Sequence, residues 1–219
     1  MNDCIFCRII EGAIIKRRSF GQTYGVVVIA EGVAEKIDPE ELQRKSGMDL
    51  SHDPYGHITL ADIPIGTLIK QAVQKRFAER GDDMRLTEVT LGYELRCTPP
   101  IPFDIDYTRT LGYGAVHFIL DESPGPHVRN GGFVYLDGTQ LRVIPFEELA
   151  DPATGRTRVR LVNTDSLHYR VARDYMIRIE ADDLGDPSTV SRLATAAGMT
   201  EPDFQAEFAQ LFPTPASAG

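Results

Sequence analysis

Residues 24–32 read YGVVVIAEG, and this stretch decides the fold class. A short β-branched run that ends at Glu31-Gly32 is typical of a buried central strand followed by a sharp change of direction. Further along, residues 62–80 place apolar side chains on one helical face and meet a stop at Gly81. Residues 85–92 then form a second strand-like run. This alternation predicts an α/β layered fold with a largely parallel sheet.

The next part of the chain is dominated by loop and helix-start signals. The proline-rich stretch 93–103 is predicted to be a loop, and Asp104 is predicted to cap a helix that runs through residue 120. Residues 51–57 and 124–132, which are rich in turn-forming residues, are predicted to be further loops.

The C-terminal part predicts a β-hairpin and helices. Asp137-Gly138 lies between two short strand-like runs and is the strongest hairpin signal in the chain. A helix is predicted over residues 166–172. Thr200, with Asp203 three residues later, resembles a capping box at the start of another helix. We therefore predict a three-layer Rossmann-like α/β domain followed by a β-hairpin and a helical extension.

Composition limits the function classes. The 219-residue chain has a net charge of -9, which argues against a general nucleic-acid or anionic-membrane surface. It has no apolar run long enough to span a bilayer and no signal-peptide pattern, so the expected compartment is the cytoplasm. Cys4 and Cys7 form an isolated Cys-x-x-Cys pair, interpreted as two ordinary thiols in preference to metal or redox chemistry. Cys97 is interpreted as a partly buried residue.

Two segments are candidates for one binding site. Glu31 follows the first predicted strand, and residues 93–96 follow the second. Ligands of open α/β sheets bind beyond the carboxyl ends of the strands, so both segments are predicted to face one crevice. A carboxylate there can accept bonds from sugar hydroxyls, and the Arg96 guanidinium can hold a phosphate. The alternative is that Glu31 and Arg96 are solvated surface residues.

A family resemblance lies in the same segments. Residues 11–32 (EGAIIKRRSFGQTYGVVVIAEG) resemble the phosphofructokinase segment that leads into an Ala-Glu-Gly turn. Residues 91–116 (LGYELRCTPPIPFDIDYTRTLGYGAV) resemble the second substrate-binding loop and the helix after it. Residues 144–162 (IPFEELADPATGRTRVRLV) are similar to a bacterial pyrophosphate-dependent group. The resemblance extends from about residue 10 to about residue 212.

The resemblance implies roles for individual residues. Glu31 would bind hydroxyls of fructose 6-phosphate, and Arg96 would be the main partner of its phosphate. The loop around the phosphate would be formed by Tyr93, Glu94, Leu95 and Arg96. Arg85 is a weak candidate for an arginine that the family contributes to a neighbouring subunit's site. The cationic residues 16–18 are interpreted as a solvated face.

What the chain lacks also bears on function. The family's glycine-rich phosphate loop, Thr-x-Asp-x-Asp-like motif and Met-Gly-Arg motif, which belong to an N-terminal half, do not occur in this sequence. No catalytic or metal-binding residue is therefore assigned here. Mg²⁺ and pyrophosphate (or ATP) are expected to bind to that other half of the complete glycolytic enzyme, which is expected to be a homo-oligomer. Phosphoryl transfer by this chain alone is not expected.

The resemblance also sets the expected domain limits and the alternatives. Residues 1–9 are unmatched, residues 10–122 form the sugar-phosphate-binding part, residues 123–212 form the hairpin and helical extension, and residues 213–219 form a tail. One alternative is a non-catalytic sugar-phosphate-binding or regulatory subunit. Another follows from the opening MNDCIFCRIIEG, which resembles histidine-triad nucleotide hydrolases, although the five histidines are scattered.

Overall fold

The computed structural model describes residues 4–38, 40, 43–44, 63–120, 131–152, 155, 157 and 161–212. In chain order the elements are α1 (Ile5–Ser19), a 3-10 helix (Glu31–Lys36), α2 (Ile65–Ala78), α3 (Tyr93–Cys97), α4 (Pro102–Leu120), β1 (Gly132–Asp137), β2 (Gln140–Pro145), α5 (Phe146–Leu149), α6 (Leu167–Tyr175), α7 (Ala181–Gly185), α8 (Pro187–Ala197) and α9 (Glu201–Ala209). The chain divides into two compact units: a first unit (Met1–Thr90 with Asn163–Gly219) and a second unit (Leu91–Val162).

The first unit is built on packed helices. Helix α1 packs against α2 and α8, and α9 closes the group by packing against α7 and α8. The predicted apolar face of α2 is confirmed, because Val73 and Phe77 are fully buried and Gly81 ends the helix with φ +75. From α9, Phe204 and Phe208 enter the same core with ring centroids 4.7 Å apart.

A buried ionic cluster links three of these helices. Glu11 of α1 is fully buried, and its Oε2 accepts a hydrogen bond from Arg76 Nε at 2.5 Å. Its Oε1 lies 2.5 Å from Nη2 of Arg80. Arg76 also pairs with Glu207 of α9. Oε1 of Glu207 lies 2.8 Å from Nε of Arg8. A buried carboxylate is tolerated only with such partners, so the charges fix how the helices meet.

The helix starts in the C-terminal part follow the sequence signals. The Thr200 cap is confirmed, since its hydroxyl accepts from the backbone N–H of Asp203 at 3.3 Å and α9 begins at the next residue. The helix predicted from residue 166 is confirmed as α6, and it extends to Tyr175. Asp186 caps α8, and hydrogen bonds from Thr189 and Ser188 lower the pKa of its carboxyl to about 2.

The second unit packs one helix on the hairpin. Strands β1 and β2 pair antiparallel with Asp137 opposite Gln140, so the hairpin predicted at Asp137-Gly138 is confirmed, with Gly138 and Thr139 as the loop residues. Helix α4 lies against both strands. The helix and the hairpin approach each other closely at Gly114, where an added Cβ would lie 2.7 Å from Leu141 Cδ2.

Two loop and cap predictions are wrong. Residues 93–103 are not all loop, because 93–97 form helix α3. The sequence Tyr-Glu-Leu-Arg consists mostly of good helix formers, and the prolines restrict the backbone only after it. Asp104 is not the N-cap of α4, which begins earlier at Pro102; Asp104 lies in the first turn and accepts from the backbone N–H of Ile101 at 2.9 Å. The loop predicted at 51–57 and residues 124–130 of the loop predicted at 124–132 lie outside the described residues, and Gly132 belongs to β1.

The segments 24–30 and 85–92, predicted to be strands, pair with no other strand among the described residues. The sheet that forms in the described part is the hairpin. Val26 and Val28 are 91% and 88% exposed. In the second segment burial alternates, with Met84 and Leu86 packed on the core while Arg85 and the neighbouring odd-numbered side chains face outward. The described part is thus rich in α-helix with one antiparallel hairpin, and the parallel sheet is absent from it.

Candidate functional site

Glu31 directly follows the predicted strand segment 24–30. Its neighbour Ala30 has φ -73 and ψ 138, which is strand-like backbone, and the 3-10 helix begins at Glu31 itself. The backbone N–H of Val33 donates to Ala30 O at 3.1 Å and closes the first turn. The change of direction predicted at Glu31-Gly32 is therefore present in the backbone.

The candidate phosphate loop is the short helix α3 and its cap. Helix α3 follows Gly92 and ends at Cys97, and the hydroxyl of the C-cap residue Thr98 donates to the backbone carbonyl of Glu94 at 2.7 Å. Tyr93 and Leu95 are 76% and 64% exposed. Helical backbone places these residues around a single turn at the surface, and the backbone of Arg96 belongs to the same turn.

The carboxyl of Glu94 has a pKa below its usual value. The backbone N–H of Gly92 donates to Glu94 Oε2 at 2.9 Å. The backbone N–H groups of Glu94 itself and of Gly92 lower the pKa of its carboxyl. Glu94 is therefore a stable carboxylate that accepts hydrogen bonds, which suits a sugar hydroxyl and disfavours a direct phosphate contact.

The candidate residues are divided between the two units. Glu31 belongs to the first unit, and the four residues of α3 belong to the second unit. The structure brings Tyr93, Glu94, Leu95 and Arg96 together in one helical turn. That Glu31 and Arg96 meet around one ligand stays a prediction.

The interpretation of residues 16–18 as a solvated face is wrong. Lys16 Nζ lies 2.5 Å from Asp183 Oδ2, and Arg18 is paired with Asp82. Arg17 donates to a backbone carbonyl at 2.8 Å. All three are half-buried, so their charges are used to hold α1 to neighbouring segments of the first unit.

The buried cluster around Glu11 was not predicted from the sequence. Arg76 and Arg80 are four residues apart on an otherwise apolar helical face, which was an available signal that α2 meets a carboxylate. The partner itself had no signal, because Glu11 and Glu207 are far from α2 in the sequence. The cluster supports the fold of the first unit.

Metal-binding clusters and membrane-spanning helices are both absent from the described part of the chain. No three His, Cys, Asp or Glu side chains there are grouped so that they could hold a metal ion. Among the same residues, no helix combines the length and apolar character needed to cross a membrane.

Comparison with known proteins gives strong matches along the chain. Over 203 residues, or 92% of the chain, it is 50% identical to pyrophosphate–fructose 6-phosphate 1-phosphotransferase of Thermotoga maritima, covering 48% of that protein. It is 39% identical over 206 residues to the protein of the same name from Naegleria fowleri, covering 46% of it. Subunit beta 1 of the pyrophosphate–fructose 6-phosphate 1-phosphotransferase of Arabidopsis thaliana is 26% identical to the chain over 148 residues. No protein-family model matches the chain.

These matches confirm the resemblance to the phosphofructokinases. More particularly, the chain is a homologue of the pyrophosphate-dependent enzymes and corresponds to the C-terminal part of the Thermotoga protein. It spans about half the length of the curated relatives that it matches.

Proposed function

We propose that this chain supplies the sugar-phosphate-binding half of a pyrophosphate-dependent 6-phosphofructokinase. In the complete catalyst, a phosphoryl group passes from pyrophosphate to the 1-hydroxyl of fructose 6-phosphate. The identity of 50% over 92% of the chain to the Thermotoga protein carries the proposal. This chain binds the acceptor sugar, and a complementary half binds the phosphoryl donor.

Within this chain, the proposed site consists of the Glu31 turn and helix α3. Glu31 accepts hydrogen bonds from sugar hydroxyls, and Arg96 holds the 6-phosphate with a charge-assisted bond. The exposed aromatic face of Tyr93 and the carboxylate of Glu94 line the sugar. The assignment is supported by the family resemblance of both segments and by the turn at Glu31, which follows strand-like backbone at Ala30.

The segments 24–30 and 85–92 are proposed to be strands of a three-layer, largely parallel sheet. Support comes from the exposure of Val26 and Val28, since β-branched residues exposed to this degree are typical of surfaces that another element covers. Support also comes from the alternating burial along the second segment. The complementary half contributes the neighbouring strands and completes the sheet.

Magnesium is proposed to belong to the complementary half. Support comes from the sequence, because the Thr-x-Asp-x-Asp-like motif that the family resemblance links to the metal site does not occur in this chain. The acceptor site and the donor site therefore come from different halves, and assembly positions the two phosphates in line for transfer. The complete enzyme is proposed to be a homo-oligomer.

Calorimetry with fructose 6-phosphate tests the acceptor site. Arg96→Ala should cost about 2 to 4 kcal/mol of binding free energy, because it removes a charge-assisted bond to the phosphate. This corresponds to a rise of roughly 30- to 700-fold in Kd. Arg142→Ala is the matched control, because Arg142 is an exposed arginine of β2 in the same unit. Equal affinity of the Arg96 variant and the control would refute the assignment.

An activity assay tests the division between halves. The chain alone, mixed with fructose 6-phosphate, pyrophosphate and Mg²⁺, should show no turnover above background. Addition of the remaining N-terminal part of the Thermotoga relative, produced separately, should restore measurable formation of fructose 1,6-bisphosphate. A robust rate from the chain alone would contradict the proposal that the donor site lies elsewhere.

A further inference from the structure

Two thiols lie together at the start of α1. Cys4 is the N-cap residue, and its backbone carbonyl accepts the first helical hydrogen bond, from Arg8 N at 3.1 Å. Cys7 lies three residues later, in the first turn. Side chains three residues apart on a helix are neighbours, with Cβ atoms about 5 to 6 Å apart. The two side chains are close enough for each thiol to shift the pKa of the other.

The surroundings of the two thiols differ. Cys7 is fully buried within the hydrophobic core of the first unit, whereas Cys4 is half-buried at the edge of that core. The hydrogen bond from Cys7 lowers the pKa of Cys4 to about 5, against the opposing effect of burial. The same bond and burial raise the pKa of Cys7. Cys4 is thus a reachable thiolate, and Cys7 is a protected thiol held against it.

We propose that Cys4 and Cys7 form a redox-active dithiol that exchanges with low-molecular-weight disulfides. The Cys4 thiolate attacks one sulfur of the small disulfide, forms a mixed disulfide and releases one thiolate. Cys7 then loses its proton and attacks the Cys4 sulfur, which forms the Cys4–Cys7 disulfide and releases the second thiolate. The protein loses two electrons and two protons, and the small disulfide is reduced to two thiols.

The chemistry of this pair differs from that of an ordinary thiol and from that of a metal site. Cys97 is exposed on α3, and the chain contains no fourth cysteine, so Cys97 has no neighbour in its own helix that could resolve a mixed disulfide. Two thiolates supply half of a tetrahedral zinc site. An attacking thiol with a buried resolving thiol, in contrast, is the complete set of groups that disulfide exchange requires. This dithiol site is independent of the proposed sugar-phosphate site.

Oxidised glutathione is a suitable probe. The full chain carrying Cys97→Ser is incubated with it, alkylated and weighed by intact-mass spectrometry. We expect a product lighter than the reduced chain by two hydrogen atoms, with no glutathione adduct, and its conversion back by dithiothreitol. Cys7→Ser in the same background should stop at one glutathione on Cys4, and Cys4→Ser should give neither product.

A rate measurement on the reduced Cys97→Ser chain makes the test independent of whether the Cys7 variant folds. A thiol of pKa about 5 is nearly all thiolate at pH 6, while an ordinary thiol of pKa about 8.5 is ~0.3% thiolate. After the lower nucleophilicity of the weaker base is included, Cys4 should react with iodoacetamide about tenfold faster than an ordinary free thiol. A stable glutathione adduct on Cys4 of the Cys97→Ser chain, an unreacted pair, or an ordinary alkylation rate would overturn the proposal.

Discussion

Neutralising Glu11 should destabilise the first unit strongly. Glu11→Gln keeps the shape of the side chain and removes the charge that Arg76 and Arg80 share. Breaking a buried ion pair costs about 3 to 5 kcal/mol, because the remaining charge is left without its partner. Here we expect about 3 kcal/mol. Arg76 keeps Glu207, and Arg80, whose side chain is 17% exposed, can turn toward water.

Urea unfolding followed by far-ultraviolet circular dichroism measures this cost. For a slope of about 2 kcal/mol per molar urea, the midpoint should fall by ~1.5 M. Glu79→Gln is the matched control, since its carboxylate faces Lys75 at 3.7 Å on the exposed side of α2. That change should alter stability by no more than about 0.5 kcal/mol.

A double variant separates the ion pair from a general effect of the substitution. Arg80→Gln in the Glu11→Gln background should cost little more than Glu11→Gln alone, because the partner of Arg80 has already lost its charge. A Glu11→Gln cost below about 1 kcal/mol would refute the reasoning. So would fully additive costs, because they would show that the two side chains do not depend on each other.

Gly114→Ala should cost about 1 to 3 kcal/mol in urea unfolding, because the new Cβ enters the contact between α4 and the hairpin. The control Gly112→Ala should be neutral or stabilising, because no atom lies within 4 Å of its new Cβ. Equal effects of the two changes would contradict this reasoning. Asp186 has a lowered folded-state pKa, so its stabilisation is complete above about 3.8 and is lost as the pH falls toward about 2. Asp186→Asn should reduce the loss of stability between about pH 3.8 and about pH 2 in an acid titration followed by circular dichroism. Val26→Lys with Val28→Lys should reduce self-association in light scattering, and an unchanged particle size would count against an adhesive surface.

Local signals in the sequence predicted local structure well. The apolar spacing of α2, the Thr200 cap and the Asp137-Gly138 hairpin each depend on residues within a few positions of one another, and all three are present. The error at Asp104 is of the same local kind, because Pro102 supplies an earlier helix start than the acidic residue does.

Features that join distant segments could not be predicted in the same way. The run YGVVVIA was predicted to be a buried strand because β-branched residues fit a covered sheet, but a strand also needs neighbours, and none pairs with it among the described residues. The Glu11 cluster draws on residues 11, 76 and 207, which no local pattern connects. For the candidate site, the family resemblance identified the residues, whereas no local pattern connects Glu31 with the residues of α3.

The pairing of Arg76 with Glu207 has a consequence for protein synthesis. The first unit contains both ends of the chain, and the second unit is inserted between them. A nascent chain synthesised just past residue 90 contains Glu11 and Arg76 but lacks α9. Its helices therefore stay incompletely packed until more than a hundred further residues have been translated. The second unit can fold during that time, because its hairpin contacts join residues that are close in sequence. The late arrival of Glu207 then completes the buried charges of the first unit.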